Sequence, residues 1–160
     1  MRKRFLTGLG LIAGFGALLG AVGVGGVAAQ PTAKRMNVHC TVRAYSVTNP
    51  QLSSGLVLGV EKCSQPFGDG VQQATSTTSI VGTQLNVTSR FKNFFDNGTD
   101  QGTVKLSGKL GSGAITASGP VILTGGTGAY RHIKGTGRTS CTTTDAGKTY
   151  NCTVNGTARL

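Results

Sequence analysis

The chain has 160 residues, a formal net charge of +11 and 26 glycines. This length suits a single domain. The Lys and Arg residues are scattered, and no predicted helix could carry a basic stripe into a groove, so the charge predicts no specific nucleic-acid partner.

The N-terminal segment has the three parts of a secretory signal peptide. Residues 2–4 are basic, residues 5–27 are apolar and glycine-rich, and residues 27–29 are small enough for a cleavage site. A retained membrane anchor is the alternative, because the apolar run is long enough to span a bilayer. We predict cleavage after residue 29 and a secreted, extracellular or periplasmic domain of residues 30–160 with no membrane span. That domain carries 13 Lys and Arg residues against 5 Asp and Glu residues.

The rest of the chain predicts strands and no helices. Apolar and polar residues alternate with a period of two, which is typical of half-buried strands, and turn residues separate the segments. The predicted extended segments are residues 38–45, 55–63, 71–81, 84–92, 103–110, 115–123, 138–144 and 149–158. This pattern fits an all-β barrel or sandwich, and closure removes aggregation-prone edges. We predict a single eight-stranded antiparallel barrel, either filled or with room for one small ligand.

The four cysteines predict two disulfides. A hairpin centred on residues 146–147 sets Cys141 opposite Cys152, and Cys40 and Cys63 fall on adjacent predicted strands. No C-x-x-C pair is present, which argues against a structural zinc site. We predict no metal and no cofactor.

A glycine-rich stretch at residues 125–137 joins two predicted strands. Glycine permits the positive φ angles and close backbone approach of a tight corner, which we predict here with Tyr130 and Ile133 as apolar anchors. Nucleotide binding is disfavoured, because Arg131 stands where a dinucleotide motif has its third glycine and Thr136 where a P-loop has lysine.

This stretch resembles a Gly-Gly-Thr-Gly segment of the allene oxide cyclase and dirigent barrel superfamily, and the resemblance extends over about residues 83–140. The resemblance implies a calycin-like barrel that acts as an isomerase, a cyclase or a stereo-directing protein. It does not assign a catalytic acid to any residue of this chain. The motif positions are expected to be structural. The matching residues are Gly125, Gly126, Thr127, Gly128, Tyr130, Arg131 and Gly135.

Few residues can do acid–base chemistry. Asp69, Asp96, Asp100 and Asp145 are all predicted to lie in turns, where Asp favours local hydrogen bonds to the backbone. Glu61 is different, because it lies within an apolar strand.

The orientation of Glu61 decides its role. If it faces the lumen, desolvation raises its pKa and suits it to acid–base catalysis. We expect the other orientation, in which the bulkier row of Leu56, Leu58 and Val60 fills the core and Glu61 faces solvent.

Other polar candidates are weaker. Arg43 and Tyr45 could contact a ligand, whereas His39 and His132 lack any partner at metal-ligand spacing.

Three functions remain open. The first is a secreted barrel that binds a small apolar molecule in its lumen, and the second is an isomerase, cyclase or dirigent-like barrel. The third is a cationic protein, associated with an envelope or polymer, that has no pocket. A lumen containing Glu61, Arg43 or Tyr45 would favour the second function, and a lumen filled by Leu, Phe and Val side chains would favour the third.

Overall fold

The computed structural model describes residues 34–48, 54–111 and 114–160. The predicted signal peptide lies outside the described residues. None of the helical turns within these ranges is long and apolar enough to cross a membrane.

Eight strands form the wall of a closed antiparallel barrel, as the sequence predicts. Each strand pairs with the next along the chain, and the last pairs with the first. The wall therefore has no free edge to recruit another chain. The strands are β1 (Arg35–Ser46), β2 (Ser54–Cys63), β3 (Asp69–Val81), β4 (Gln84–Phe95), β5 (Gly98–Lys109), β6 (Ile115–Gly126), β7 (Lys134–Thr143) and β8 (Thr149–Arg159).

Both predicted disulfides are present, and both lie on the inner wall. Cys40 of β1 is directly opposite Cys63 of β2, and Cys141 of β7 is directly opposite Cys152 of β8. Disulfides persist in oxidising compartments, so the two bridges indicate an oxidising, extracellular type of environment.

The orientation expected for β2 is wrong. The Glu61 side chain is only 3% exposed and faces the lumen, whereas Leu58 and Val60 are 44% and 53% exposed on the outer surface. Leu56 does not line the lumen either.

The disulfide explains this orientation. Cys40 belongs to the inward row of β1, so the bonded Cys63 must face inward as well. Side chains two residues apart in a strand share a face. Glu61 therefore follows Cys63 into the lumen, and the bulkier apolar row of β2 is left outside.

The turn expected around Asp100 is also wrong. The hairpin between β4 and β5 has a loop of only two residues, Asp96 and Asn97, and β5 already begins at Gly98. Asp100 is therefore a strand residue, faces inward and is 3% exposed. The tight hairpin needs glycine at Gly98, where φ is +142° and a Cβ would lie 2.2 Å from the Thr127 carbonyl oxygen.

The glycine-rich stretch forms the predicted corner between two strands, β6 and β7, and this corner closes one end of the barrel. A single 3-10 turn, Gly128–Tyr130, precedes Ile133, and the Tyr130 and Ile133 side chains are almost completely buried. The Tyr130 ring stacks on Phe67 at 5.1 Å and meets the Phe95 ring edge-on at 5.5 Å. These three aromatic rings and Ile133 form the aromatic plug.

The two disulfides should each stabilise the fold measurably. They close loops with sequence separations of 23 and 11 residues. The chain-entropy model predicts that replacing both cysteines of either pair by alanine lowers the free energy of unfolding by about 3 kcal/mol. Urea unfolding of each double variant measures this loss. Free thiols titrated in the denatured, unreduced protein would contradict the pairing.

Candidate functional site: the barrel lumen

A cavity of about 190 Å³ lies inside the barrel and is walled by all eight strands. Most of its lining surface is apolar, with Phe67 and Phe95 of the aromatic plug at one end. An apolar cavity of about 150 Å³ is known to hold benzene. The lumen is therefore large enough for a molecule with one small ring or a short chain.

A row of three polar side chains crosses the largely apolar wall. Gln72 of β3, Asn93 of β4 and Asp100 of β5 are direct cross-strand neighbours, and all three line the cavity. The Gln72 Nε2 atom donates a hydrogen bond to Asn93 Oδ1 at 3.0 Å. The Asn93 side chain in turn hydrogen-bonds the Asp100 carboxyl group. This row holds Asp100 in place and connects three strands.

Glu61 of β2 is the second carboxyl group of the lumen. Burial, and to a smaller extent the charge of Asp100, raise its pKa from 4.5 to about 8. Burial also raises the pKa of Asp100 to about 7, although the hydrogen bond from Asn93 partly opposes the shift. We call Glu61 and Asp100 the carboxyl pair. Close to neutral pH, one member can hold a proton while the other is ionised.

Each carboxyl group keeps one oxygen atom free of protein partners. Glu61 Oε1 and Asp100 Oδ1 are buried without a hydrogen bond among the described residues. The Thr139 hydroxyl on β7 is a third such group. Buried polar atoms nearly always have partners, so these three atoms are available to hydrogen-bond solvent or a bound molecule in the cavity.

The described part of the lumen contains no positive charge. No Lys, Arg or His lines the cavity, and every Lys and Arg residue from Lys34 to Arg159 is exposed. The remaining acids Asp69, Asp96 and Asp145 are exposed too. Positive charge is thus confined to the outer surface, whereas the carboxyl pair is alone inside.

One cluster has the composition of a metal site but not its chemistry. Potential ligand atoms of Cys40, Glu61 and Cys63 lie within 4.8 Å of one another. Metals bind cysteine as the thiolate, and these two sulfur atoms are bonded to each other. This cluster therefore offers a metal only the carboxylate.

The other candidates from the sequence lie outside the lumen. Arg43 and Tyr45 are exposed on the outer face of β1, where the guanidinium lies 5.7 Å from the centre of the Tyr45 ring. His39 and His132 are exposed as well. None of these four residues lines the cavity.

Asp100 is the functional candidate that sequence reasoning missed. The signal was present, because Asp100 belongs to the same two-residue series as the apolar residues Val104 and Leu106, which line the cavity. Extending that series backward through Gly102 would have placed Asp100 in the lumen.

Comparison of the chain with protein-family models, curated proteins and solved structures finds no match. The resemblance of residues 125–135 to the allene oxide cyclase and dirigent superfamily stays a prediction.

The raised pKa values of the carboxyl pair predict that the free energy of unfolding falls as pH rises. Between the pKa values of the unfolded chain, near 4, and the folded values of about 7 and 8, the native state retains protons that the unfolded state has released. Each carboxyl therefore lowers the free energy of unfolding by at most about 1.4 kcal/mol per pH unit in this window. Urea midpoints measured from pH 5 to pH 8 should decline.

Matched variants test whether this pH dependence arises from the carboxyl pair or from exposed acids. Glu61→Gln combined with Asp100→Asn should flatten the decline, whereas Asp69→Asn, which changes an exposed carboxyl, should preserve it. Asp145 does not interfere above pH 5, because hydrogen bonds from the Thr149 backbone and neighbouring groups lower its pKa to about 2. A wild-type midpoint that rises from pH 5 to pH 8 would refute the assignment.

Proposed function

We propose that this protein binds a small, mainly apolar molecule in the barrel lumen. The observation that carries the proposal is a cavity of about 190 Å³ with a largely apolar wall and three unpartnered polar atoms. Ligand pockets combine such walls with a few polar groups that fix orientation. The cavity supports this function over a cationic protein that lacks a pocket.

The energetics are sufficient for useful affinity. Removing apolar surface from water contributes about 25 cal/mol for each Å², so a ligand that buries roughly 300 Å² gains about 7.5 kcal/mol before entropic costs. The rigid, closed wall limits those costs, because little ordering remains to be done on binding. Binding in the micromolar to millimolar range is expected for a ligand of this size.

A variant that fills the cavity tests the location of the site. Ala74 is buried on the inner face of β3, and the next residue, Thr75, is exposed on the outer face. Ala74→Phe should weaken binding of benzyl alcohol and ethylbenzene at least tenfold, because the ring occupies ligand space. Thr75→Phe is the control and should bind like the wild type.

The readouts are chemical-shift titration with both probes and mass spectrometry of molecules that copurify with the protein. Circular dichroism checks that Ala74→Phe is folded, since overpacking costs about 1–3 kcal/mol. Equal binding by the folded Ala74→Phe variant and the wild type would show that the binding site lies outside the lumen.

A second candidate function is favoured by the carboxyl pair itself. Two carboxyl groups with pKa values of about 8 and 7 can act as general acid and general base near neutral pH. Such a pair suits an isomerisation or cyclisation, in which a proton leaves one atom of the substrate and another is delivered elsewhere. The resemblance of the glycine-rich stretch to allene oxide cyclase and dirigent barrels points in the same direction.

Product analysis distinguishes a catalyst from a binder. A copurifying compound is incubated with the wild type, with Glu61→Gln and with the surface control Asp69→Asn. A catalyst should convert the compound in the wild type and the control, and Glu61→Gln should abolish conversion while retaining binding. Conversion that survives in Glu61→Gln would exclude acid–base catalysis by this residue.

A further inference from the structure

We propose that the ligand of the lumen is a small apolar amine, bound as its ammonium ion by Glu61 and Asp100. This inference rests on the proposed binding function and specifies the chemical class of the ligand. It is carried by the carboxyl pair, by its unpartnered oxygen atoms and by the distribution of charge across the barrel wall.

The unpartnered oxygens are suitable acceptors for an ammonium group. Glu61 Oε1 and Asp100 Oδ1 are buried in side chains that are only 3% exposed. An ionised carboxylate only accepts hydrogen bonds, whereas an ammonium group offers up to three donors and no acceptor. Charge-assisted bonds of this kind are about twice as strong as neutral ones. An ammonium ion in the lumen can therefore supply the hydrogen bonds that these oxygens lack.

The charge balance of the lumen favours a cation over an anion. The described lining contains two carboxyl groups and no Lys, Arg or His that could neutralise them. An unpaired buried charge is costly, so without a cation both groups are driven towards their protonated forms. An anionic ligand would add to the repulsion. A bound ammonium ion instead pairs with the ionised carboxylates.

The wall around the carboxyl pair favours an organic cation over a metal ion. Ca²⁺ takes six to eight oxygen ligands, and Mg²⁺ keeps an octahedral shell with several waters. Near the pair, the Asn93 amide oxygen already accepts a hydrogen bond from Gln72, and Phe91, Val104 and Val121 make much of the lining apolar. An apolar amine uses both properties, because its ammonium group meets the carboxylates while its carbon skeleton meets the wall.

Binding should be coupled to proton release. An ammonium ion favours the ionised carboxylates, so it lowers their pKa values from about 8 and about 7. The other titratable side chains beside the carboxyl pair or in the cavity wall are Tyr130 and Tyr150. Burial raises the pKa of both phenols, so they stay neutral near pH 7. The release therefore comes from the carboxyl pair.

The test compares four probes of similar size with different charge. These are benzylamine, benzyl alcohol, ethylbenzene and benzoate, each titrated into the protein by calorimetry at pH 6.5 in two buffers of different ionisation enthalpy. Benzylamine should bind at least tenfold more tightly than benzyl alcohol, and benzoate should bind most weakly. Benzylamine binding should also release roughly one to two protons, whereas benzyl alcohol should release none.

Two variants and a control assign the effect to the carboxyl pair. Glu61→Gln and Asp100→Asn should each weaken benzylamine binding more than tenfold, and each should change the affinity for benzyl alcohol by less than tenfold. Asp69→Asn removes an exposed carboxyl and should leave all affinities unchanged. Glu61→Gln and Asp100→Asn each remove a buried acid, so the folding of both variants is verified by urea unfolding.

The outcomes separate this inference from the proposed function. If benzyl alcohol or ethylbenzene binds as tightly as benzylamine, the amine inference is wrong and lumen binding stands. If calcium chloride displaces benzylamine at equal concentration, the pair is a metal site and the amine inference is also wrong. If none of the four probes binds the wild type, both proposals fail.

Discussion

The structure depends on the two-residue period of its strands and on the two disulfides that fix which face points inward. A shift of one residue in register would turn every side chain of a strand to the opposite face. Cys40–Cys63 excludes this shift for β1 and β2, and Cys141–Cys152 excludes it for β7 and β8. These four strands are contiguous around the barrel. Half of the wall is thus oriented covalently, and Glu61 is one of the residues oriented.

Much of the fold could be predicted because it follows from local patterns. The alternation of apolar and polar residues predicts the strands, and the glycine-rich stretch predicts the corner anchored by Tyr130 and Ile133. The symmetry of the last hairpin predicts the Cys141–Cys152 disulfide. The predicted positions of Glu61 and Asp100 were wrong for the same reason. Each was inferred from the residues next to it in sequence, and not from the residues two positions away, which share its face of the strand. Glu61 was judged by the bulk of the opposite row, and Asp100 by the turn-forming residues around it. The electrostatic influence of Asp100 on Glu61 could not be predicted, because β2 and β5 are not paired and their side chains share one lumen only in the closed barrel.

The carboxyl pair is a feature that folding alone does not require. Buried ionisable groups without counter-charges lower stability, and apolar groups of similar volume are often more stabilising. The row of Gln72, Asn93 and Asp100 nevertheless builds a defined position for one of these carboxyls. Groups with strongly shifted pKa values cluster at functional sites. Burial of the carboxyl pair without counter-charges thus lowers stability at neutral pH. It also makes the protonation of the pair sensitive to any charge inside the lumen.

The separation of charge across the barrel wall also affects how the molecule moves in an electric field. Residues 34–159 contain 13 Lys and Arg residues but only three exposed acids, because Glu61 and Asp100 are inside. When the lumen pair is protonated, these side chains carry a net charge of +10, and when the pair is ionised they carry +8. Electrophoretic mobility reports total charge regardless of depth. Ionisation of two groups that are only 3% exposed would therefore appear as a change in migration, without any rearrangement of the surface.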